Sequence, residues 1–242
     1  MSAPAATIWH DVECGGYEAD LSLWEELAAA AGGPILDLGC GTGRVSLHLA
    51  GRGHEVTGLD PEPAYVAALN DRTGDLPCRG EVGDARDFGL ERRSFALALA
   101  PMQLLQLFAA AADRVACLEA AAAHLRPGGV FAVAIVEQVQ AGFNREDEAV
   151  PDSREVDGRL YASLPIEARV DAERITIRRL RKVVSPAGVL ERSDDRTVLH
   201  QLSAEVLEAA AAAAGRAPMG RRAILPTLDH VGSTAVLLER RS

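Results

Sequence analysis

Residues 37–44 read Asp-Leu-Gly-Cys-Gly-Thr-Gly-Arg, and this octet narrows the possible folds more than any other part of the chain. Three glycines alternate directly after the run Ile35-Leu36-Asp37-Leu38 and directly before a helical pattern over Arg44 to Ala50. A short apolar run of this kind reads as a buried strand of a parallel sheet. Glycines permit positive φ values and let a ligand approach the backbone over the strand end. Free amides at the helix start would favour an anionic group, a carboxylate or a phosphate. The unit predicted is strand, tight turn and helix, the opening of an α/β sheet that binds its ligand across the strand ends.

The pattern repeats. Glu55 to Leu59 reads as a second strand, followed by a helix from Pro61, because proline suits a first turn. Cys78 to Val82, Phe95 to Ala100 and Val130 to Val136 read as strands three to five. Asp113 to Leu125 reads as a helix, ended by Arg126-Pro127-Gly128-Gly129. Upstream, Tyr17 to Ala31 carries Leu21, Trp24, Leu27 and Ala28 on one helical face, with Gly32-Gly33-Pro34 as its stop. Strands alternating with helices predict a mostly parallel sheet covered on both sides. From Arg154 to Leu202 the helical pattern disappears. Leu160 to Val170, Arg174 to Val184 and Val189 to Leu199 alternate as antiparallel strands, with Ser185-Pro186-Ala187-Gly188 as a turn. A helix over Ser203 to Ala214 and strands over Ala217 to Leu225 and Ser233 to Glu239 close the chain.

Charge and composition exclude several functions. The net charge is −10 and aromatic residues are 4% of the 242 residues. That leaves no cation surplus to neutralise phosphates and no stacking platform for single strands, so nucleic acid is not an expected partner. Cys14, Cys40, Cys78 and Cys117 lack metal-site spacing and read as free thiols. Lys182 is the only lysine, so a Schiff-base mechanism would have to use it. The first ten residues lack a cationic start and an apolar core, and no apolar run reaches spanning length. These features predict a soluble, cytoplasmic protein with no membrane partner.

The spacing of the glycines separates two ligand classes. A dinucleotide fingerprint is G-x-G-x-x-G/A, which would put its third small residue at position 44, and that residue is Arg44. Here the third glycine comes one position early, at Gly43, and Asp37 precedes the loop by two. This D-x-G-x-G-x-G pattern resembles the first motif of the class I S-adenosyl-L-methionine-dependent methyltransferases. Val56-Thr57-Gly58-Leu59-Asp60 resembles the family's second strand with its terminal acid. Gly83-Asp84-Ala85-Arg86-Asp87-Phe88 resembles the acid after strand three, and Leu125-Arg126-Pro127-Gly128-Gly129 the turn before strand five. The four motifs fall in the family's order between Ile35 and Val136. Outside that range the resemblance is architectural.

The resemblance implies a Rossmann-like class I methyltransferase fold: a seven-stranded, mostly parallel sheet with an antiparallel insertion after strand five. It implies one domain over 1–242, with an N-terminal cap helix (1–31), a cofactor-binding core (34–153), an insertion serving as substrate lid (154–202) and a closing helix and strands (203–242). Its cofactor would be S-adenosyl-L-methionine, with S-adenosyl-L-homocysteine as product and no metal. Gly39, Cys40, Gly41, Thr42 and Gly43 would pass under the methionine end. Asp37 would either hold the loop or approach the ligand's ammonium. Asp60 would accept from both ribose hydroxyls, its competing role being a helix N-cap before Pro61. Asp84 would accept from the adenine amino group, and the amide of Ala85 or Arg86 would meet a ring nitrogen. Ala100, Pro101, Met102 and Gln103 would line the sulfonium, where a thioether tolerates the cation.

On the acceptor side, Tyr17 either faces the reacting groups or packs the first helix. Glu137 either pairs with an acceptor amine or acts as base, or is a loop acid. The segment after strand four lacks the Asn/Asp-Pro-Pro-aromatic signature of nucleobase and glutamine methyltransferases, and it lacks the acids of metal-dependent catechol-type enzymes. Pro77-Cys78 precedes strand three, the wrong place for a cytosine-C5 nucleophile. The expected activity is methyl transfer to a small-molecule nitrogen or oxygen, by a monomer or homodimer. The alternatives are a protein or RNA methyltransferase and a catalytically inactive binder of the same cofactor.

Overall fold

The computed structural model describes residues 4–137, 139, 150–227 and 230–241. The chain divides into two compact units. One comprises residues 18–137 and 202–242, the other 1–17 and 138–201.

The larger unit is a seven-stranded sheet. Its strands are β1 (Ile35–Leu38), β2 (Val56–Asp60), β3 (Cys78–Val82), β4 (Phe95–Ala100), β5 (Leu125–Ile135), β10 (Arg216–Ile224) and β11 (Ser233–Arg240), in the spatial order β10-β11-β5-β4-β1-β2-β3. β1 pairs in parallel with both β2 and β4, and β5 in parallel with β4. β11 is antiparallel to both β5 and β10. Strand order therefore reverses at β1 and β4, which opens a crevice at their carboxyl ends. Every residue of β1 and β4 is buried, as the apolar runs predict.

Helices α2 (Leu21–Ala31), α3 (Arg44–Ala50) and α4 (Pro63–Thr73) adjoin one another on one face. Helices α6 (Ala111–His124) and α7 (Ala204–Ala213) adjoin each other on the opposite one. There Cys117, Leu118, Ala121, Leu207 and Ala211 join Leu36, Leu38, Phe131 and Val133 in a continuous core. Gly58 shows how closely α4 packs. A Cβ there would lie 2.8 Å from Cys40 Sγ and 2.9 Å from Leu69 Cδ2, so β2 needs a residue without a side chain.

The smaller unit pairs helix α1 (Ala5–Cys14) with an antiparallel sheet of β6 (Asp152–Val156), β7 (Arg159–Val170), β8 (Arg174–Val184) and β9 (Leu190–His200). Glu13 of α1 accepts hydrogen bonds from Arg181 Nε at 2.7 Å, Arg181 Nη2 at 2.8 Å and Ser163 Oγ at 2.7 Å. Burial alone would raise its carboxyl, but these partners hold it below the usual carboxylate range. Trp9 stands edge-on to Tyr161 at 5.3 Å, with the Arg181 guanidinium 5.1 Å from its ring centre.

Several boundaries differ from the sequence reading. The expected helix from Tyr17 begins at Leu21, and a separate α1 precedes it, because Gly15 and Gly16 break the run. α4 starts at Pro63 rather than Pro61, with Glu62 as N-cap accepting from the Ala64 amide. β5 begins at Leu125, which pairs with Phe95, so the expected Arg-Pro-Gly-Gly turn is an irregularity inside the strand. β6 was not anticipated. It reaches β7 through Asp157-Gly158, with φ values of 52° and 71°, the turn that Asp-Gly favours. No helix among the described residues is long and apolar enough to cross a membrane.

Candidate functional site

The site begins at the turn between β1 and α3. Gly39, Gly41 and Gly43 have φ values of 68°, 54° and 97°. At Gly43 a side chain would also run into Leu69, so glycine is required there twice over. The loop amides are spent internally. Those of Gly39 and Cys40 donate to the Leu59 carbonyl at 2.8 and 3.1 Å, that of Gly43 to the Cys40 carbonyl at 3.0 Å, and that of Gly41 to Asp60 Oδ2 at 2.9 Å. The expectation of free amides awaiting an anion therefore does not hold for these four positions. The Thr42 carbonyl accepts from Arg72 at 3.2 Å. Cys40 is buried and its thiol is pushed far up by burial, then by the charges of Asp37 and Asp60, so it stays protonated.

Asp60 ends β2 and is 8% exposed. Besides Gly41, it accepts from the Glu62 amide through Oδ1 at 2.9 Å. It is not the N-cap of α4, which is Glu62. It ties the glycine loop to the end of β2, and half of its four acceptor sites stay open. Pro61 beside it is exposed. Asp37, in the middle of β1, is fully buried. Its Oδ2 accepts from Ser46 Oγ at 2.6 Å, while Oδ1 has no partner. Burial pushes this carboxyl up to about 6, against the opposing pull of Ser46 and the Arg44 charge.

Sequence reasoning missed the support behind this loop. Arg44 donates to both oxygens of Asp20, at 2.7 and 2.8 Å, and Trp24 Nε1 donates to Asp20 Oδ2 at 2.7 Å. Asp20 is fully buried. This triad fastens the start of α2 to the start of α3. The only trace in the sequence is Asp20 and Trp24 at i, i+4, which reads equally well as solvated polarity beside a core aromatic.

Beyond β3, Asp84 is bound face to face by Arg86: Nη2 to Oδ2 at 2.6 Å and Nε to Oδ1 at 2.9 Å. The hydrogen bonds from Arg86 hold the Asp84 carboxyl below its usual range. The Arg86 amide also donates to Asp84 Oδ1, at 2.9 Å, which leaves the Ala85 amide as the one available to a ring nitrogen. This loop is held from behind by His124. Its Nδ1 lies 2.8 Å from the Ala120 carbonyl, so Nε2 is free to accept from the Leu90 amide at 3.2 Å, and its ring stacks on Phe88 at 4.4 Å.

Past the carboxyl end of β4, Ala100 and Pro101 are buried and Met102 is half-buried. Gln103 follows with φ 50° and opens the short helix α5 (Leu104–Leu107). Gln106 is fully buried and clamps Val136 in both directions, Nε2 to its carbonyl at 3.0 Å and Oε1 from its amide at 2.7 Å. Glu137 is engaged at both oxygens, by the Ala204 amide at 2.9 Å and Thr234 Oγ1 at 3.0 Å, and so joins β5 to α7 and β11. Tyr17 lies in the smaller unit, its amide donating to the Cys14 carbonyl at 3.3 Å. Asp37, Asp60, Asp84 and the glycine loop thus share one unit and one edge of one sheet. Among the described residues, no group of three or more His, Cys, Asp or Glu side chains could hold a metal.

Comparison with known proteins places this architecture. Residues 35–129 match a family model described as a methyltransferase domain. A ubiquinone biosynthesis O-methyltransferase of Xanthomonas campestris pv. campestris (strain B100) is 30% identical over 117 residues, 48% of each chain. A dTDP-3-amino-3,6-dideoxy-alpha-D-glucopyranose N,N-dimethyltransferase of Streptomyces fradiae is 34% identical over 115 residues, 48% of this chain and 44% of that one. The chain spans about half the length of the curated relatives it matches. SAM-bound CalS10, an amino pentose methyltransferase from Micromonospora echinaspora, superposes with a TM-score of 0.72 at 24% identity, over 96% of both chains. The sugar N-methyltransferase KedS8 from Streptoalloteichus sp ATCC 53650 does so with a TM-score of 0.73 at 21% identity, over 100% of this chain and 94% of that one.

Proposed function

We propose that this chain, with a methyltransferase domain over residues 35–129 and the Rossmann-like class I methyltransferase fold, moves a methyl group from S-adenosylmethionine to a small molecule. The observation that carries this reading is the buried, unpartnered Asp37 oxygen beneath a glycine loop whose amides at positions 39, 40, 41 and 43 are already used. A loop with so few amides to offer is a poor phosphate cradle. An unpaired buried carboxylate oxygen instead favours a ligand that brings a cation or an N–H group. The methionine ammonium of the cofactor is such a group. Asp60 keeps lone pairs for a ribose diol, and the Ala85 amide offers a donor to an adenine ring nitrogen; Asp84, bound at both oxygens by Arg86, would have to share one of them with the adenine amino group.

When bound, the cofactor supplies an electrophilic sulfonium methyl: the acceptor lone pair forms the new bond to carbon as the carbon–sulfur pair returns to sulfur. The protein's part is to orient and to dry. Ala100, Pro101 and Met102 offer a wall without charged groups, and the Met102 thioether is polarisable. Alignment of reactants supplies most of the acceleration available to such a site. Both Glu137 oxygens are engaged, which leaves that carboxylate poorly placed to deprotonate a hydroxyl. A neutral amine needs no strong base. Nitrogen is therefore the favoured target, and an amino sugar the first class to try, in keeping with the names of the Streptomyces relative and of KedS8.

S-adenosylhomocysteine at a hundred times its dissociation constant should stabilise the native state by about 2.7 kcal/mol, visible as a raised melting temperature. NAD should give no shift. Incubation with methyl-deuterated cofactor and a panel of amino sugars and phenols should label an amine by mass spectrometry. Stabilisation by NAD and none by S-adenosylhomocysteine would overturn the reading.

A further inference from the structure

Arg216 is at odds with its surroundings. It opens β10 and stands opposite Arg240 of β11 in the ladder, so both side chains project from the same face of the sheet. That face is the one covered by α6 and α7, because Leu238, two residues before Arg240, belongs to the core those helices share. Arg216 lines a small gap there with Leu118 and Ala122 of α6, Leu125 and Phe131 of β5, and Leu238. No other side chain in that lining can accept a hydrogen bond, and the buried Nε–H of Arg216 has no partner. Arg240 gives a guanidinium N–H to the Leu125 carbonyl, where a cation suits the end of α6. Arg216 has no such role, and neither arginine pairs with a carboxylate among the described residues. Burial first, and then the Arg240 charge, lower the proton affinity of Arg216, with Glu119 opposing both. An unpaired buried donor and a like charge across the strand both weaken the fold, and an apolar residue of similar length would bring neither.

We propose that Arg216 and Arg240 form a binding site for a small organic carboxylate, which accepts from the Nε–H and Nη–H edge of Arg216 beside the Arg240 guanidinium and rests its apolar body against the lining of the gap. A carboxylate matches one guanidinium fork with two parallel hydrogen bonds, and its charge relieves the repulsion between the two arginines. The apolar lining favours a singly charged anion over phosphate, whose second charge and remaining oxygens would find no donor there. The chain as a whole carries a net charge of −10, so it attracts an anion only where cations stand together without acids, as this pair does. The place is separate from the methyl-transfer site. Arg240 holds the first residue of β5 and follows Glu239, which pairs with Val130, so the pair stands towards the amino end of β5. The glycine loop and Asp60 stand at the carboxyl ends of β1 and β2, which run in the same direction as β5. The ligand therefore binds at the opposite edge of the sheet, and its site does not depend on the methyl-transfer reading.

Benzoate is the probe, with inorganic phosphate and chloride compared at matched ionic strength. Titration calorimetry on the full-length protein should show saturable benzoate binding. Arg216→Met keeps the apolar stem and removes the donors, and should weaken benzoate by about ten- to a hundredfold, the contribution of a hydrogen bond to a charged group. It should melt at or above the wild-type temperature, because no buried donor is left unpaired. Arg216→Lys keeps the charge without Nε or the fork, and should lose nearly as much affinity. S-adenosylhomocysteine should bind both variants within about twofold of wild type, as expected of distant sites. A nitrogen-15 spectrum of the arginine Nε–H groups reads the wild-type protein directly: the peak missing from Arg216→Lys should shift as benzoate is added. Phosphate binding as tight as benzoate binding overturns the carboxylate class. Absence of saturable benzoate binding, or equal benzoate affinity in wild type and both variants, overturns the site. A wild-type protein that binds benzoate and fails to bind S-adenosylhomocysteine overturns the methyl-transfer reading and leaves this site standing.

Discussion

Asp37 is held at a cost to the fold. Its carboxyl is raised to about 6 because burial disfavours the charge, so the native state binds this proton more tightly than the unfolded chain does. The cost, about 3 kcal/mol, is fully present above pH 6 and fades as pH falls towards the unfolded value of 3.8. Asp37→Asn should therefore leave apo stability at neutral pH equal or higher, by calorimetric melting, while weakening S-adenosylhomocysteine. A ligand ammonium favours the ionised carboxylate, so wild-type affinity should fall as pH drops below about 6, and the variant should lose that slope. An Asp37→Asn protein with wild-type affinity at every pH would leave Asp37 a loop anchor only. Of the two alternatives left open in the sequence, the anchoring role has a partner in the structure, since Oδ2 accepts from Ser46, while Oδ1 is buried without one. Asp60 shows the limit of reading a residue in isolation. The cap role that Pro61 suggested belongs to Glu62, and the real structural partner, the Gly41 amide, lies 19 residues away. Asp60→Ala should weaken S-adenosylhomocysteine about ten- to a thousandfold by titration calorimetry. Unchanged affinity in a folded variant would place the ribose elsewhere. Asp60→Asn should also lose affinity, since its NH2 must face one of two backbone N–H groups.

Elements were legible where periodicity was strong. The short buried runs at Ile35 and Phe95 read as strands, and the turn at Ser185 to Gly188 placed β8 and β9 within a residue of their observed bounds. What stayed hidden were features set by tertiary partners. Arg126 to Gly129 read as a break, yet its flanks both pair with β4, with a register shift between them. α5 is four residues long, too short for a helical period to show. Glu137 is the clearest case at this scale. A carboxylate at the end of a strand invites a catalytic reading, but here it binds the first amide of α7 and the Thr234 hydroxyl at the start of β11. Removing it strands an amide at a helix start and unties three elements. Glu137→Ala should cost about 1–3 kcal/mol in denaturant unfolding with little change in S-adenosylhomocysteine affinity. A stable Glu137→Ala protein that binds cofactor and has lost only turnover would restore the catalytic role.

Across the whole molecule, the two compact units do not follow the expected segments, a cap helix over 1–31 and an insertion over 154–202. Residues 1–17 belong with 138–201, and α2 belongs with the large sheet. No local pattern could show this, because the contact that fixes it, Glu13 with Arg181, spans 168 residues. The division has a functional corollary. The glycine loop, Asp37, Asp60, Asp84, Met102 and Gln103 all lie in residues 18–137, and their supports Asp20, Arg72, Gln106 and His124 lie there too. Tyr17 alone, of the residues the sequence nominated, falls in the other unit. Cofactor binding should therefore survive deletion of the smaller unit. A chain lacking residues 1–17, with 138–201 replaced by a short Gly/Ser bridge, should melt cooperatively and bind S-adenosylhomocysteine within about tenfold of wild type, roughly 1.4 kcal/mol. Deleting only 154–202 should do worse, because α1 would lose the sheet that covers Ile8 and Val12. Methyl transfer to the preferred amine should be lost in both chains. If the first deletion yields a folded protein that cannot bind S-adenosylhomocysteine, the cofactor site draws on residues 1–17 or 138–201. If it still methylates at the wild-type rate, acceptor selection resides in the large unit.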